Sequence, residues 1–161
     1  MSASVIFKRG LFTDLLLARV ATAFGTASVL VGDGEAPGGG GWSGQQAGSG
    51  TFVPYVALIS GTATKNLTDP LGRRKDSSWS LNYSVRGAGG NRQQADFACD
   101  AASKIFSDLA KQQFACGVGN VLWHVLKAEY TSLGGITPNN ATDPPLWERV
   151  DGLEIWLDLG P

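Results

Sequence analysis

The sequence predicts an α+β fold, an antiparallel sheet of about four strands with two helices packed on one face. Residues 77–86 and 153–159 alternate between apolar and polar positions, as strands with one buried face do. Residues 95–109 place small and apolar residues at helical spacing. Strands that follow one another through loops favour antiparallel pairing, and the predicted order is helix–strand–strand–helix–strand–strand (α-β-β-α-β-β).

The first half of the chain begins with a predicted helix. Apolar residues at helical spacing place it at 11–24, and Gly25 is a plausible stop. Residues 28–31 are suited to a short strand. Residues 52–60 predict a longer strand, and its start should be terminal or at a sheet edge because Pro54 cannot donate a ladder hydrogen bond.

The second half starts with the second helix, for which Asn91 and Gln94 form a capping-box-like beginning. Residues 120–130 fit a strand, in which Val121, Trp123 and Val125 would share one face, although a helix stays open as an alternative. A Gly-, Asn- and Pro-rich loop is expected at 131–149. The final strand, 153–159, should bury its leucines and isoleucine and expose Glu154, Trp156 and Asp158.

The 161 residues fit a single domain, 1–161. Two segments depart from regular structure. Residues 32–50 contain nine glycines, and ordering them would cost so much entropy that a flexible insertion is expected. Residues 61–76 connect two strands and are predicted to form a basic hairpin arm, longer than a tight turn requires.

Charge, cysteine spacing and apolar runs argue against several functional classes. The formal net charge is −1, which does not favour a free-standing nucleic-acid binder and does not oppose self-association. Cys99 and Cys116 form no CxxC motif, so neither a zinc site nor a redox motif is expected. Asp14 and Arg19 interrupt the N-terminal apolar stretch, so we expect a helix there rather than a signal peptide. No apolar run approaches the length of a membrane span.

No residue pattern predicts catalysis, a cofactor or a metal. His124 is the single histidine and has no signature of a nucleophile or orienting carboxylate. Residues 87–92 resemble a dinucleotide fingerprint, but Arg92 stands where its third glycine should be, so a flexible turn is expected. Residues 37–41 (PGGGG) lack the Lys-Ser or Lys-Thr of a phosphate-binding loop.

Two carboxylates on the second helix, Asp96 and Asp100, lie one turn apart. Paired carboxylates can perform acid–base chemistry. On an amphipathic helix they are more often the solvated face, with Asp100 and Lys104 as an i, i+4 ion pair.

Two patches of opposite charge are candidates for protein interaction. The basic arm contains Lys65, Arg73, Arg74 and Lys75. The acidic C-terminal segment contains Trp147, Glu148, Asp151, Glu154, Trp156 and Asp158. A tryptophan exposed among acidic residues is typical of an interface.

Several short motifs occur in an order that resembles the tail terminators of long-tailed bacteriophages, including the tail-completion proteins of siphophages. The resemblance covers residues 10–160. The motifs are Pro54-Tyr55-Val56-Ala57-Leu58, Trp79-Ser80-Leu81-Asn82-Tyr83-Ser84-Val85, Gly90-Asn91-Arg92-Gln93-Gln94-Ala95-Asp96 and Asp143-Pro144-Pro145-Leu146-Trp147. The Gly-rich insertion departs from the compact form of that family.

The resemblance implies a homo-oligomeric ring, usually sixfold, that caps the head-proximal end of the tail tube in the virion after assembly in the host cytoplasm. The ring would end tube polymerisation and join the tail to the head connector. Its partners would be other copies of itself, the tail tube protein and a head-closure or connector protein. It implies no enzyme activity, no cofactor and no membrane.

Other functions stay open. The chain could be a head-closure or stopper protein, a tail tube protein, or a small enzyme with a Gly-rich substrate loop. The basic arm is expected to contact the acidic edge of the next subunit or the tail tube. Passive contact with DNA in the lumen is the competing interpretation, because the same cations suit phosphates.

Overall fold

A computed structural model describes residues 7–44, 50–65, 78–116, 122–141 and 145–159. Within them the chain forms two helices, α1 (Arg9–Thr26) and α2 (Arg92–Ser107). The strands are β1 (Leu30–Asp33), β2 (Gly41–Trp42), β3 (Phe52–Val53), β4 (Tyr55–Lys65), β5 (Ser78–Gly89), β6 (Gln113–Phe114), β7 (Trp123–Ser132), β8 (Thr137–Asn139) and β9 (Leu146–Leu159).

Both helices lie where the periodicity predicts them. The predicted capping box opens α2: Asn91 Oδ1 accepts a hydrogen bond from the Gln94 N–H at 2.9 Å, and Gln94 Oε1 accepts one from the Gly90 N–H at 2.9 Å. The residues that α2 buries lie on the predicted stripe and end with Phe106. The helix α1 continues past Gly25, so that glycine does not stop it.

The predicted sheet is wrong. The strands run in the order β1-β4-β5-β9-β7-β6, with β8 attached to β9, and the sheet curls into a half-barrel. The pairs β4–β5, β5–β9 and β9–β7 are antiparallel, but β1 pairs with β4 in parallel. The sheet is therefore mixed and larger than the predicted four antiparallel strands, and the order α-β-β-α-β-β does not hold.

The missing strands have identifiable causes. β6 has 2 residues and β8 has 3, too few for an alternating pattern to show. The segment 28–31 was suited to a strand, but its parallel alignment needs a crossover of a dozen or more residues. The Gly-rich segment supplies that crossover. The loop expected at 131–149 contains β8 and the beginning of β9.

One large apolar core lies between the helices and one face of the sheet, which we call the inner face. The rings of Phe24 in α1 and Phe106 in α2 meet edge to face at 5.6 Å between centroids. Leu81, Tyr83, Phe106 and Leu157 are buried in this core, and Ile105 packs against it half-buried.

Close approach between β5 and α2 requires two glycines. A Cβ on Gly87 would collide with Cys99 Sγ, and one on Gly89 would collide with the backbone nitrogen of Ala95. Both glycines belong to β5, so this part of the predicted flexible turn is a packed strand end. It lets the helix lie directly on the sheet.

The Gly-rich segment contains β2, which pairs with β3 as a separate antiparallel ribbon. Trp42 packs edge to face on Phe52 at 5.3 Å between centroids, and Phe52 stacks on Tyr55 at 6.3 Å. These rings form a second apolar cluster with Ala88. Residues 45–49 lie outside the described residues, and the mobility of the insertion stays a prediction.

Candidate interaction surface

The central strand β9 divides the candidate residues between two faces. It pairs with β5 along one side and with β7 and β8 along the other. Leu153, Ile155 and Leu157 are buried in the inner face. Glu154 and Trp156 are half-buried and lie on the opposite, outer face. The predicted alternation of this strand is confirmed.

Trp156 is held in place on the outer face by its neighbours. Its Nε1–H donates to Glu154 Oε1 at 2.7 Å, and Lys127 Nζ lies 4.4 Å from its ring centroid. The same Lys127 Nζ forms an ion pair with Glu129 Oε2 at 3.2 Å. We call these four residues, Lys127, Glu129, Glu154 and Trp156, the Trp156 surface. A cation–π contact at such an exposed site contributes about 0.5–1 kcal/mol.

A bulge in β7 creates this arrangement. The register between β7 and β9 shifts between Val125 and Lys127, which puts Lys127 opposite Trp156. The extra residue, Leu126, is left with 48% of its surface exposed. Sequence reasoning missed Lys127 and Glu129, although they alternate with Ala128 and Tyr130 in the predicted strand and so share one face.

Polar residues surround the Trp156 surface. Ser80 and Asn82 of β5 lie opposite Trp156 and Glu154 in the ladder. Asp158 lies between Ser78 and His124 of the neighbouring strands. The ring of His124 is half-buried, and its Nδ1 is 3.4 Å from Gln113 Nε2. These contacts make His124 part of a polar sheet face.

Glu148 lies on the outer face near the ribbon, and its charge is compensated within the chain. Its Oε1 is 2.6 Å from Arg86 Nη2. Glu148 Oε1 has no hydrogen-bond partner among the described residues, so this contact is an ion pair that lacks hydrogen-bond alignment. Arg86 Nε also has no hydrogen-bond partner among them. Burial raises the pKa of the neighbouring Tyr55, and Arg86 opposes that rise. Trp147, the preceding residue, is half-buried opposite Gly89.

Asp151 is not a surface residue, although we grouped it with the acidic segment. It is 0% exposed. Its Oδ1 accepts hydrogen bonds from Arg149 Nε at 3.0 Å and from the Gly134 N–H at 2.9 Å. Asp151 is two residues from Leu153, so the pleat turns both side chains to the inner face. This spacing was a usable signal that the grouping by charge overlooked.

Arg149 connects β9 to α2. Its Nη1 lies 2.9 Å from Asp96 Oδ1 and 3.2 Å from Asp100 Oδ1. Burial acts to lower the pKa of Arg149, but the hydrogen bonds that Arg149 donates to Asp151 and Asp96 outweigh this effect and raise the pKa. The Asp96 and Asp100 side chains are 39% and 71% exposed, so they lie on the solvated helix face as expected. The ion pair that the structure describes for Asp100 is with Arg149 and not with Lys104.

Two polar atoms beside this cluster have no hydrogen-bond partner among the described residues: Asp151 Oδ2 and Tyr130 Oη. Burial raises the pKa of Tyr130, and the charge of Asp151 raises it further. The phenol is therefore a neutral donor and Asp151 an acceptor.

The basic arm is only partly described. Lys65 ends β4 and is exposed. Arg73, Arg74 and Lys75 lie outside the described residues. Whether the arm reaches acidic residues of another subunit, the tail tube or DNA stays a prediction.

The remaining reactive groups are inside the protein. Cys99 and Cys116 are free and buried, and burial raises the pKa of each thiol to about 12. In the part of the chain that the structure describes, no group of three or more His, Cys, Asp or Glu side chains could hold a metal ion. No described helix is both long and apolar enough to span a membrane.

Comparison with known proteins finds no protein-family model and no curated protein that matches this chain.

Proposed function

We propose that this chain is a structural virion protein that forms a ring at the head-proximal end of a phage tail tube, ends tube polymerisation and joins the tail to the head connector. The order of sequence motifs that resembles tail terminators gives this proposal its specific form. The structural observation that carries it is the Trp156 surface.

The Trp156 surface has the properties of a protein-docking site. Trp156 is a large aromatic residue set among the charged side chains of Lys127, Glu129 and Glu154, and tryptophan is enriched among the residues that dominate binding energy. Its contacts with Glu154 and Lys127 already restrict its rotamer, which reduces the entropy lost on binding. The surrounding charges would set the orientation and rate of association more than its affinity.

The basic arm would act beside this surface. We propose that Lys65, Arg73, Arg74 and Lys75 contact acidic residues of the next subunit or of the tail tube. Reversing these four residues to glutamate separates this proposal from contact with DNA. Loss of ring formation or of tail joining supports a contact between the arm and another protein. Loss of DNA retention alone supports contact between the arm and DNA in the lumen. Normal virions contradict both interpretations.

Mixing the purified chain with tail tube protein and imaging the product by negative stain tests the function. A terminator caps one end of each tube and stops its growth. Copolymerisation along the tube would instead identify a tail tube protein, and rings that ignore tubes would identify another connector component. All three outcomes are visible in the same images.

The Trp156→Ala variant tests whether the surface makes the contact. We expect at least a tenfold loss of capped tube ends, because removing a central interface tryptophan commonly costs about 2 kcal/mol or more. Trp42→Ala is the matched control, because Trp42 packs on Phe52 of the ribbon. Capping by Trp156→Ala at the wild-type concentration would refute the role of this surface.

A further inference from the structure

The sheet has two open edges of nearly equal length. β1 covers the outer edge of β4 only from Tyr55 to Leu58. Residues 111–114, which include β6, cover β7 only from Trp123 to Val125. Within the described residues, no strand pairs with the outer edges of 59–64 or 126–132.

The open edge of β4 contains a bulge between Ser60 and Ala63, but no charged side chain and no proline protects its residues 59–64. These residues read Ile-Ser-Gly-Thr-Ala-Thr. Natural proteins usually protect a free edge with lysine, proline or a covering loop, because unpaired N–H and C=O groups template pairing with another chain. Here the Arg9 guanidinium donates to the Gly61 carbonyl in the bulge of β4. The remaining edge is suited to a partner strand.

The strand directions determine how two such edges can meet. β4, β5, β9 and β7 are consecutive antiparallel neighbours, so β4 and β7 run in opposite directions. If β4 of a second copy lies beside β7 of the first, the new pair is antiparallel, like the rest of this part of the sheet. Between its two register shifts, β7 offers the regular stretch Lys127–Tyr130 for such pairing.

We infer that the open edge of β4 in one copy pairs with the open edge of β7 in the next, so that the sheet continues from subunit to subunit. This contact joins two different patches, so it is heterologous and generates a ring when the rotation between copies closes. The curl of the half-barrel supplies a rotation of constant sign. The inference rests on the proposed assembly into a ring, and it would also cover the exposed Leu126.

Cysteine crosslinking tests which edges meet. Thr62 and Thr131 are exposed and lie on the two open edges, whereas the native Cys99 and Cys116 are buried. A short bismaleimide tolerates a register offset of two residues, about 7 Å. We expect Thr62→Cys and Thr131→Cys chains to crosslink when they are mixed and neither to crosslink alone. Crosslinks within either single variant, or none in mixed rings, would overturn the inference.

Charge placed on the edge provides a second test. We expect the variant Thr62→Lys plus Thr64→Lys to lose at least tenfold in the fraction of assembled protein at a fixed concentration. Gln93→Lys plus Ser107→Lys adds the same charge at exposed sites of α2 and is the matched control. Melting temperatures close to the wild-type value confirm that both variants fold. Wild-type assembly by the edge variant would refute the pairing.

The proposed tail function and the proposed edge pairing can be refuted independently of each other. Rings without crosslinks between the edges overturn edge pairing and leave the tail function standing. Crosslinked rings that do not cap tubes contradict the tail function and support edge pairing. A wild-type chain that stays monomeric at every concentration contradicts both.

Discussion

In both halves of β9, every second residue points to the inner face. These inward residues are apolar in the C-terminal half and charged in the N-terminal half. In the C-terminal half these residues are Leu153, Ile155 and Leu157, all buried in the large core. In the N-terminal half they are Arg149 and Asp151, also buried but charged. The pleat decides which side chains point inward. The neighbouring elements decide whether a charge can remain there.

The charged half is tolerated because its partners are in place. Arg149 contacts three carboxylates, of Asp96, Asp100 and Asp151, while the Gly134 N–H donates to Asp151. A buried ion pair is costly to desolvate, and it is strongly destabilising when one partner is removed. We therefore expect the two halves of β9 to respond differently to substitution.

The largest effect should follow from Arg149→Met. It leaves Asp151 as a buried carboxylate with only the Gly134 N–H, and we expect the free energy of unfolding to fall by about 4 kcal/mol. Urea denaturation measures this loss. The double variant Arg149→Met plus Asp151→Leu should recover most of it, because no charge is then stranded. A loss below about 1 kcal/mol for the single variant would show that the cluster is solvated.

Ile155→Ala tests the apolar half. Ile155 is 0% exposed, and its truncation should lower the free energy of unfolding by about 3 kcal/mol through lost burial and a cavity. The conservative change Ile155→Val should cost about 1 kcal/mol. Unlike the charged half, this half should show no recovery through a second substitution that removes a charge. An equal cost for both variants would contradict the cavity explanation.

Gly87→Ala tests the packing of β5, the strand that pairs with the charged half of β9. Gly87 pairs with Arg149 and faces Cys99 Sγ, so an added Cβ should push α2 away and cost about 2 kcal/mol. The matched control is Gly135→Ala, since no atom lies within 4 Å of a Cβ built there. Adding Cys99→Ala to Gly87→Ala should restore part of the stability. Thermal denaturation of the three variants would reveal whether it does.

Lys127→Met should have the smallest effect on stability. Lys127 is 46% exposed and contacts only the outer face, so we expect a loss below about 1 kcal/mol. The tryptophan fluorescence of this variant should nevertheless differ from that of the wild type, because the substitution removes the ammonium group that lies over the ring of Trp156. A loss as large as that of Ile155→Ala would mean that the outer face is part of the core.

Periodicity alone located the elements that are long enough to show it. The alternation in 77–86 and 153–159 and the helical stripe in 95–109 correspond to β5, β9 and α2, although α2 ends at Ser107. The order of the strands in the sheet could not be predicted from periodicity. The parallel strand β1 depends on a crossover, and β6 and β8 are too short to carry a pattern.

The candidate surface was predicted only in part for a similar reason. Glu154 and Trp156 followed from alternation within one strand. Lys127 joins them only because a bulge shifts β7 by one residue, and no local pattern marks that shift. Asp151 was grouped with the surface acids by charge, although its spacing from Leu153 already indicated the inner face.

The ribbon formed by β2 and β3 has a practical consequence. The Ser43 N–H donates to the Thr51 carbonyl at 3.0 Å, and the Thr51 N–H donates to Ser43 Oγ at 2.9 Å, so the chain is anchored at both of these residues. Doubling the length of a closed loop costs only about 0.6 kcal/mol. A fluorophore tag or gold-binding peptide inserted between these residues should leave the fold intact and mark each protomer in an electron micrograph.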